Sequence, residues 1–463
     1  MNFNIIQLWK TKKVLILLFT ILFFTVLFVH LWSRKNIEHR VIYWDTINYY
    51  SFLPATFIHG DLAMRFLNED VQRDTSLTWL YWTFKKPNGK HLVKMTLAWS
   101  MINIPAFVIA DVIAILTGFE RDGYSKPYQI AVALNNVFFG CWGLYFVFLI
   151  LSRFFQPFIR DLCLVIISLG TNFYYYASWT QPGAHIYGFF LVAALTELAF
   201  RIRDKFSWKL IVYAGICFGL LTLLRPVNAL VVFVIASILF KYPTDFSFLS
   251  ITKKLNIKAV FLFGLISLIV IAPQFIYWKW ITGHWIHFSY EGEKFFWSRP
   301  MIMEFLFSYR KGWFTYSPLM LVACFGLWMN HAFSKNIRLS LILFLMIFVY
   351  LNSCWWSWWF GGGFGCRSMI DFYPLMAIPL GLVLEKISAQ HSMFRINSYL
   401  IIGFLVFLSM FQTQQRIRGL IHWDSMTKEA YWQVFLKTTY PHNYDEFLKT
   451  PDYEAAMRGE VVR

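Results

Sequence analysis

The chain has 463 residues, 58% of them hydrophobic and 21% aromatic, and only 14% carry charge, against roughly 25% in soluble domains. So little charge beside 50 Phe excludes a water-soluble globule, and so much apolar surface excludes disorder. The net charge of +17 suits basic loops beside a membrane and contacts to phosphate better than a wet nucleic-acid surface.

The composition reads as an all-α polytopic membrane protein. A helix needs roughly 20 mostly apolar residues to span hydrocarbon. Twelve segments approach this, near 14–32, 95–117, 129–152, 162–177, 186–200, 210–224, 226–240, 259–278, 313–329, 339–353, 368–385 and 398–415. Their hydrophobicity is continuous, not alternating, which excludes a barrel of spanning strands. Lys10, Lys12 and Lys13 precede the first segment and no small-residue cleavage site follows, so it reads as an uncleaved anchor with a cytoplasmic N-terminus.

Basic residues orient the later segments. Arg201, Arg203, Lys205 and Lys209 share one loop; Lys241, Lys253, Lys254 and Lys258 another; Lys335 with Arg338, and Lys386 with Arg395, mark two more. These four loops fit the cytoplasm. Twelve crossings would contradict the early half of that assignment, so either one early segment does not cross or one crossing is hidden. Segment 95–117, with Asn103, Pro105 and Asp111, is the candidate, lying in the interface or broken. A bundle of about 11–13 crossings is expected over residues 1–415, with outer loops at 33–94 and 279–312. The tail 416–463, carrying Trp423, Tyr431 and Trp432, is too short for an ordinary domain and belongs on the outer face.

Cys141, Cys163, Cys217 and Cys324 sit in apolar segments as small core residues; Cys354 and Cys366 share the outer face, where a disulfide is one option. No Walker A sequence, GxGxxG, HExxH, GxSxG or metal-like cysteine spacing is present. Chemistry on a soluble nucleotide is disfavoured, and a reactant already in the membrane is favoured.

A few polar residues stand out, each with two readings. Asp45, in YWDTINYY beside Trp44, Tyr49 and Tyr50, is a helix cap or a general base. Lys94, at the head of an apolar segment, snorkels to headgroups or meets a phosphate. His185, between two crossings, is structural or bonds a sugar or phosphate. Arg225 ends a crossing in LLRPVN; at that depth its charge needs a carboxylate or a lipid phosphate. The loop 279–312 mixes aromatics with Glu291, Glu293, Lys294, Arg310 and Lys311, as an interfacial belt or a sugar site. Most distinctive is CWWSWWFGGGFGCR, residues 354–367, where Gly361, Gly362, Gly363 and Gly365 let backbone approach an anion and Arg367 offers a bidentate contact.

In order along the chain, these stretches resemble the GT-C membrane glycosyltransferases, which include protein O-mannosyltransferases and lipid A aminoarabinose transferases. Asp45 matches the essential Asp near the start of that family's first outer loop. The stretch from Lys94 to Pro105, the GLLTLLRP and SYRKGWFTYSP stretches and WWSWWFGGGFGCR are similar to segments recurring there. The resemblance implies an inverting transfer of a sugar from a polyprenyl-phosphate donor to a hydroxyl of a lipid, glycan or protein acceptor. It implies Asp45 as base, with Lys94, Arg225, Lys311 and Arg367 at the donor phosphate. Trp44, Tyr49, His185, Glu291, Gly362 and Gly363 would hold sugar or acceptor. No cofactor is expected, and a divalent metal is not required, because polyprenyl phosphate leaves readily. The setting implied is a bacterial inner membrane with the active face periplasmic. The competing readings are a transporter or flippase of lipid-linked glycans, which would show internal repeats, and a non-catalytic assembly factor, which would tolerate loss of Asp45.

Overall fold

The computed structural model describes residues 5–29, 41–69, 81–239, 256–329 and 335–460, with side chains from Lys12 onward except those of Asn68 and Glu69. The basic residues Lys241, Lys253 and Lys254, and the Lys10 side chain, lie outside these described residues. Among the described residues, helices occupy every apolar segment read from the sequence.

The first crossing is α1 (Ile5–Leu27). The loop after it holds α2 (Asp45–Tyr50), α3 (Phe52–Phe57) and α4 (Phe66–Glu69). It also holds an antiparallel hairpin of β1 (Thr83–Lys85) and β2 (His91–Val93), with Thr83 opposite Val93. Then come α5 (Ala98–Thr117), α6 (Lys126–Leu151), α7 (Pro157–Leu169), α8 (Phe173–Ser178), α9 (Ala184–Asp204) and α10 (Trp208–Leu224). A 3-10 turn (Pro226–Leu230) leads into α11 (Val231–Leu239), followed by α12 (Ile257–Thr282), α13 (Ile302–Phe307), α14 (Trp313–Tyr316), α15 (Pro318–Gly326) and α16 (Lys335–Ser353). A second 3-10 turn (Arg367–Phe372) opens α17 (Tyr373–Ser388), and α18 (Ser392–Ile417) precedes a tail with short α19 (Lys428–Val434) and α20 (Tyr453–Met457).

Among the described residues, seven stretches are long and apolar enough to cross a membrane by length and composition: α5, α6, α9, α12, α16, α18 and Arg367–Ser388. Two predicted segments are broken. Gly170 to Asn172 separates α7 from α8, and Ser317 separates α14 from α15. The first break has a visible cause. Asn172 donates to the Phe364 carbonyl at 3.1 Å and accepts from the Tyr373 hydroxyl at 2.8 Å, so the helix unwinds where it meets the glycine-rich loop.

The bundle has two distinguishable ends. At one, Arg153 grips buried Glu197 through two bonds of 2.9 and 3.0 Å and reaches Asp204, while Arg201 also bonds Glu197. The cations Lys205 and Lys209 lie there too. Phe155 packs on Gly381 in the second half of α17, and Ser340 bonds Ser237 near the end of α11, so Lys335, Arg338 and Lys386 share this basic end. At the other end lie Asp45, His185, Arg225 and Arg367. We call it the site end.

Helices α6 and α9 run parallel: Phe139 meets Tyr187, Phe146 meets Phe190, and Arg153 meets Glu197. The start of α6 is therefore at the site end. Helix α5 is unbroken, which removes the broken-helix expectation for 95–117. Both of its ends are tied to the site end. Before its first turn, Thr96 donates to the Leu223 carbonyl at the end of α10, and Leu97 N–H donates to Gln274 of α12 at 2.9 Å. Farther along, Phe107 packs on Tyr50 and Phe57, and Asp111 accepts from Tyr128, in the first turn of α6, at 2.6 Å. A 20-residue helix is about 30 Å long, long enough to cross, but its contacts lay it along the site end. Among the described residues, eleven helical passages then run between the two ends of the bundle, counting α7 with α8 and α14 with α15 as one each. Being odd, this count places the start of α1 and the tail at opposite ends of the bundle.

Close packing relies on small residues where backbones must approach. A Cβ added at Gly215 or Gly219 of α10 would fall 2.9 Å from Ile266 or 2.8 Å from Val270 of α12. Caps suit the ends: Asn256 accepts from Ala259 N–H at the start of α12, and Gly283 closes it with φ +82°.

Two results are expected. In a cysteine-free background, Arg121→Cys between α5 and α6 and His442→Cys in the tail should react with a membrane-impermeant maleimide from the same side. Lys205→Cys should react only from the other side. Labelling of positions 121 and 205 from one side would show that α5 crosses. Separately, Glu197→Leu should lower the unfolding temperature in detergent, since it leaves Arg153 and Arg201 without their shared buried carboxylate.

Candidate active site

The site forms where helices stop short. Arg225 is the residue at which α10 ends, in extended conformation (φ −152°, ψ 113°), and Pro226 then starts the next turn. Arg367 opens the 3-10 turn after the glycine run. His185 lies in the first turn of α9, after Pro182 and Gly183. Asp45 is the first residue of α2. A cation suits the helix C-terminus at Arg225 and a carboxylate the N-terminus at Asp45, whereas Arg367, at the start of its turn, is opposed by the backbone dipoles and answered by a carboxylate instead.

Asp45 pairs with Arg367 at 2.7 Å, both side chains partly buried. The cap reading of Asp45 is therefore corrected. The capping position is Trp44, which makes no side-chain cap bond. His185 Nδ1 bonds Asp371 Oδ1 at 2.8 Å, and Asn228 Nδ2 donates to Asp371 Oδ2 at 2.8 Å. Asp371 is wholly buried. Arg225 lies over the Phe360 ring at 5.5 Å, and its Nη1 is buried with no hydrogen-bond partner. Arg367 Nε is in the same condition. Both guanidiniums act electrostatically on Tyr49 and His185. Burial, then the Asp45 carboxylate, pushes the Tyr49 phenol up to about 12, so it stays protonated.

Two bulky aromatics here have positive φ: Trp44 at +47°, next to Asp45, and Phe360 at +56°, under Arg225. Such backbone costs on the order of 1–3 kcal/mol each and persists only where the surroundings impose it.

Of the residues singled out in the sequence, Asp45, Tyr49, His185, Arg225 and Arg367 come together, with exposed Trp44 at the rim. The others lie in neighbouring layers. Lys94 pairs with Glu293 and sits over the Tyr290 and Trp82 rings, and Glu293 also accepts from Trp356 at 2.7 Å. Glu291 is taken by Lys86 and by His287 at 2.8 Å. These two pairs staple the β1–β2 hairpin region to the loop 279–312. Lys311 is buried, and its ammonium donates to the carbonyls of Gly363 and Trp423. Burial first, then the Arg416 and Arg367 charges, hold it well below the usual lysine value. Lys311 is thus a strut beneath the glycine loop, and the expectation that it meets a donor phosphate is corrected on that ground.

The glycines are also used differently from the anion-cradle reading. Gly363 N–H donates to the Trp423 carbonyl at 3.1 Å, and Phe364 N–H donates to the Tyr176 hydroxyl at 2.9 Å. A Cβ on Gly362 would meet the Trp423 ring at 2.9 Å, and one on Gly363 would meet the Tyr176 oxygen at 2.4 Å. The run is glycine because the loop is pressed between the tail and α8. Tyr453 of the tail stacks edgewise on Trp356 and Trp359 and donates to Asp424 at 3.1 Å. The tail therefore covers the loop. Cys354 and Cys366 are both free thiols.

Sequence reasoning missed Asp371 and Asn228, while Glu293, named there with its loop, proves to be the partner of Lys94. Asp371 had a signal: an acid inside an apolar stretch, four residues after Arg367, which marks a functional position by cost alone. Asn228 had none beyond following Arg225. Among the described residues, no three His, Cys, Asp or Glu side chains gather as a metal site would need.

No protein-family model matches the sequence. No curated protein matches it either. Among solved structures, the apo oligosaccharyltransferase of Archaeoglobus fulgidus is similar with a TM-score of 0.48 and 13% identity, over 95% of this chain and 60% of that one. The Archaeoglobus fulgidus oligosaccharyltransferase AglB, in complex with an inhibitory peptide and a dolichol-phosphate, is similar with a TM-score of 0.46 and 13% identity, over 94% of this chain and 61% of that one. This chain thus spans about 60% of the length of those structures. A likeness this distant names neither donor nor acceptor.

Gly365→Ala tests the loop. Gly365 has φ +58°, and an added Cβ would lie 2.9 Å from Tyr316 Cβ. Strain plus overpacking should destabilise by about 1–3 kcal/mol, read as a lower unfolding temperature. Gly361→Ala, also at positive φ but in open space, should cost about 1 kcal/mol.

Proposed function

We propose that this protein is a GT-C-type glycosyltransferase that moves a sugar from a polyprenyl-phosphate donor to a hydroxyl, with inversion, at the site end. The observation that supports it most is the Arg225 guanidinium: buried at Nη1, unpartnered there, and beside an Asp–Arg pair. An anion is the group that completes such a place, and a carboxylate within hydrogen-bond reach partners Arg367, not Arg225.

In this reading Arg225 and Arg367 donate to the donor phosphate. The acceptor oxygen attacks the anomeric carbon and the carbon–oxygen bond to phosphate breaks. The acceptor proton passes to Asp45, and polyprenyl phosphate leaves with the bond's electron pair. The phosphate draws on Arg367, which loosens its hold on Asp45 and leaves that carboxylate a better base. Donors fixed before reaction stabilise the leaving oxygen without reorganisation. Protonated Tyr49 adds a further donor, and Trp44 supplies a ring face for sugar. The acceptor is a lipid, glycan or protein. The basic loops at the opposite end support a site end facing away from the cytoplasm, and the resemblance to GT-C enzymes supplies the bacterial inner membrane and periplasmic face.

The experiment is mass spectrometry of cell-surface glycolipids and glycoproteins from wild type, a deletion, and the deletion carrying Asp45→Asn or Arg225→Gln at equal protein level. A base contributes about 10²–10⁴-fold and one charge-stabilising donor about 10²–10³-fold. Both variants should therefore lose, with the deletion, one sugar from an otherwise intact glycan. Loss of the whole glycan in the deletion, restored by Asp45→Asn, would sink the proposal in favour of transport or assembly.

A further inference from the structure

The carboxylate of Asp371 is buried out of contact with solvent, yet it is met on both oxygens. His185 Nδ1 bonds one at 2.8 Å and Asn228 Nδ2 donates to the other at 2.8 Å. Room for it is cut into α9. One turn along from His185, Gly188 has no side chain, and a Cβ there would fall 2.5 Å from Asp371 Oδ2. The arrangement is a carboxylate seated against an imidazole, and the proposed transfer has not used it.

A carboxylate accepts only, so the ring nitrogen facing it must carry the proton. A neutral ring then has its lone pair on Nε2. Of the other groups about the site, two guanidiniums never accept, and the Tyr49 phenol, kept protonated by burial, offers a donor along with its oxygen. Asp45 is already engaged by Arg367. A phosphate would satisfy the guanidiniums, but a sugar hydroxyl beside that phosphate also needs an acceptor.

We propose that Asp371 is a positioning residue that holds the His185 ring with its proton on Nδ1, so that Nε2 accepts a hydroxyl of the donor sugar. The hydroxyl half rests on the transferase reading above; the ring state does not. The donor class this selects is a phosphate-linked sugar with a free hydroxyl near its anomeric carbon. Asn228 holds the second oxygen and stops the carboxylate from rotating away.

The test is ¹⁵N magic-angle-spinning NMR of histidine-labelled full-length protein in lipid, at neutral pH, with His185→Gln assigning the signal by its loss. The expected result is a neutral ring protonated at Nδ1, changing in Asp371→Asn to a mixture or to the Nε2–H form. A wild-type ring protonated at Nε2 or on both nitrogens would overturn the proposal, and this measurement needs no variant beyond the assignment. In the surface-glycan assay, His185→Leu should reduce the transferred sugar about tenfold, the worth of one hydrogen bond of about 1.4 kcal/mol. His185→Gln, which keeps an acceptor near the Nε2 position, should recover most of it. Equal loss in both would overturn the hydroxyl role while the ring state stands. If the deletion leaves every glycan unchanged, the transferase reading fails, and with it the hydroxyl role, while the ring state is still decided by NMR.

Discussion

A guanidinium at the edge of hydrocarbon cannot be left without an answering charge or dipole, and the rest of the site is arranged around that constraint. Three means are visible. Arg153 is answered by Glu197 and Asp204, Arg367 by Asp45, and Arg225 by the Phe360 ring and the carbonyl end of α10. The first two are ion pairs. The third is weaker, since a cation over a ring gains about 0.5–2 kcal/mol. That inequality leaves Arg225 the least fully answered of the three.

Much of the architecture was readable beforehand. Continuous apolar runs marked the long helices because the hydrocarbon core tolerates little else, whereas the short helices of the loops and tail left no such mark. Loops such as 201–209 marked the basic end because lysine and arginine bias orientation. The lie of α5 was only half readable. Its composition suits a crossing as well as a surface helix, and the contacts of Thr96, Phe107 and Asp111 decide between them. Of the site, Asp45, Arg225 and Arg367 could be picked out because isolated charges beside apolar runs are costly. Their pairing could not, since 322 residues separate Asp45 from Arg367 in the chain and no local pattern spans that distance.

Lys311 shows why residue type alone misleads. A lysine beside aromatics reads as a phosphate contact, but here carbonyls of two other segments satisfy it. The glycine run misleads in the same way. Glycine permits close approach of anything, and at Gly362 and Gly363 what approaches is the protein's own Trp423 and Tyr176. Buried polar groups are expected to find partners, so a cation or N–H is a ligand candidate only after the internal partners are counted.

The contact between the glycine loop and Trp423 also bears on how the protein is made. Trp423 lies beyond α18, the last helix to run between the two ends. The loop that precedes Arg367 takes a bond from its N–H to the Trp423 carbonyl, and Lys311 bonds that same carbonyl. Neither bond can form until the chain past residue 423 has been synthesised and delivered to the site end. The bundle can assemble helix by helix as it is inserted, but the loop under Arg367 must wait for the tail. A partly made chain would therefore hold a helical bundle in which the loop before Arg367 is not yet braced.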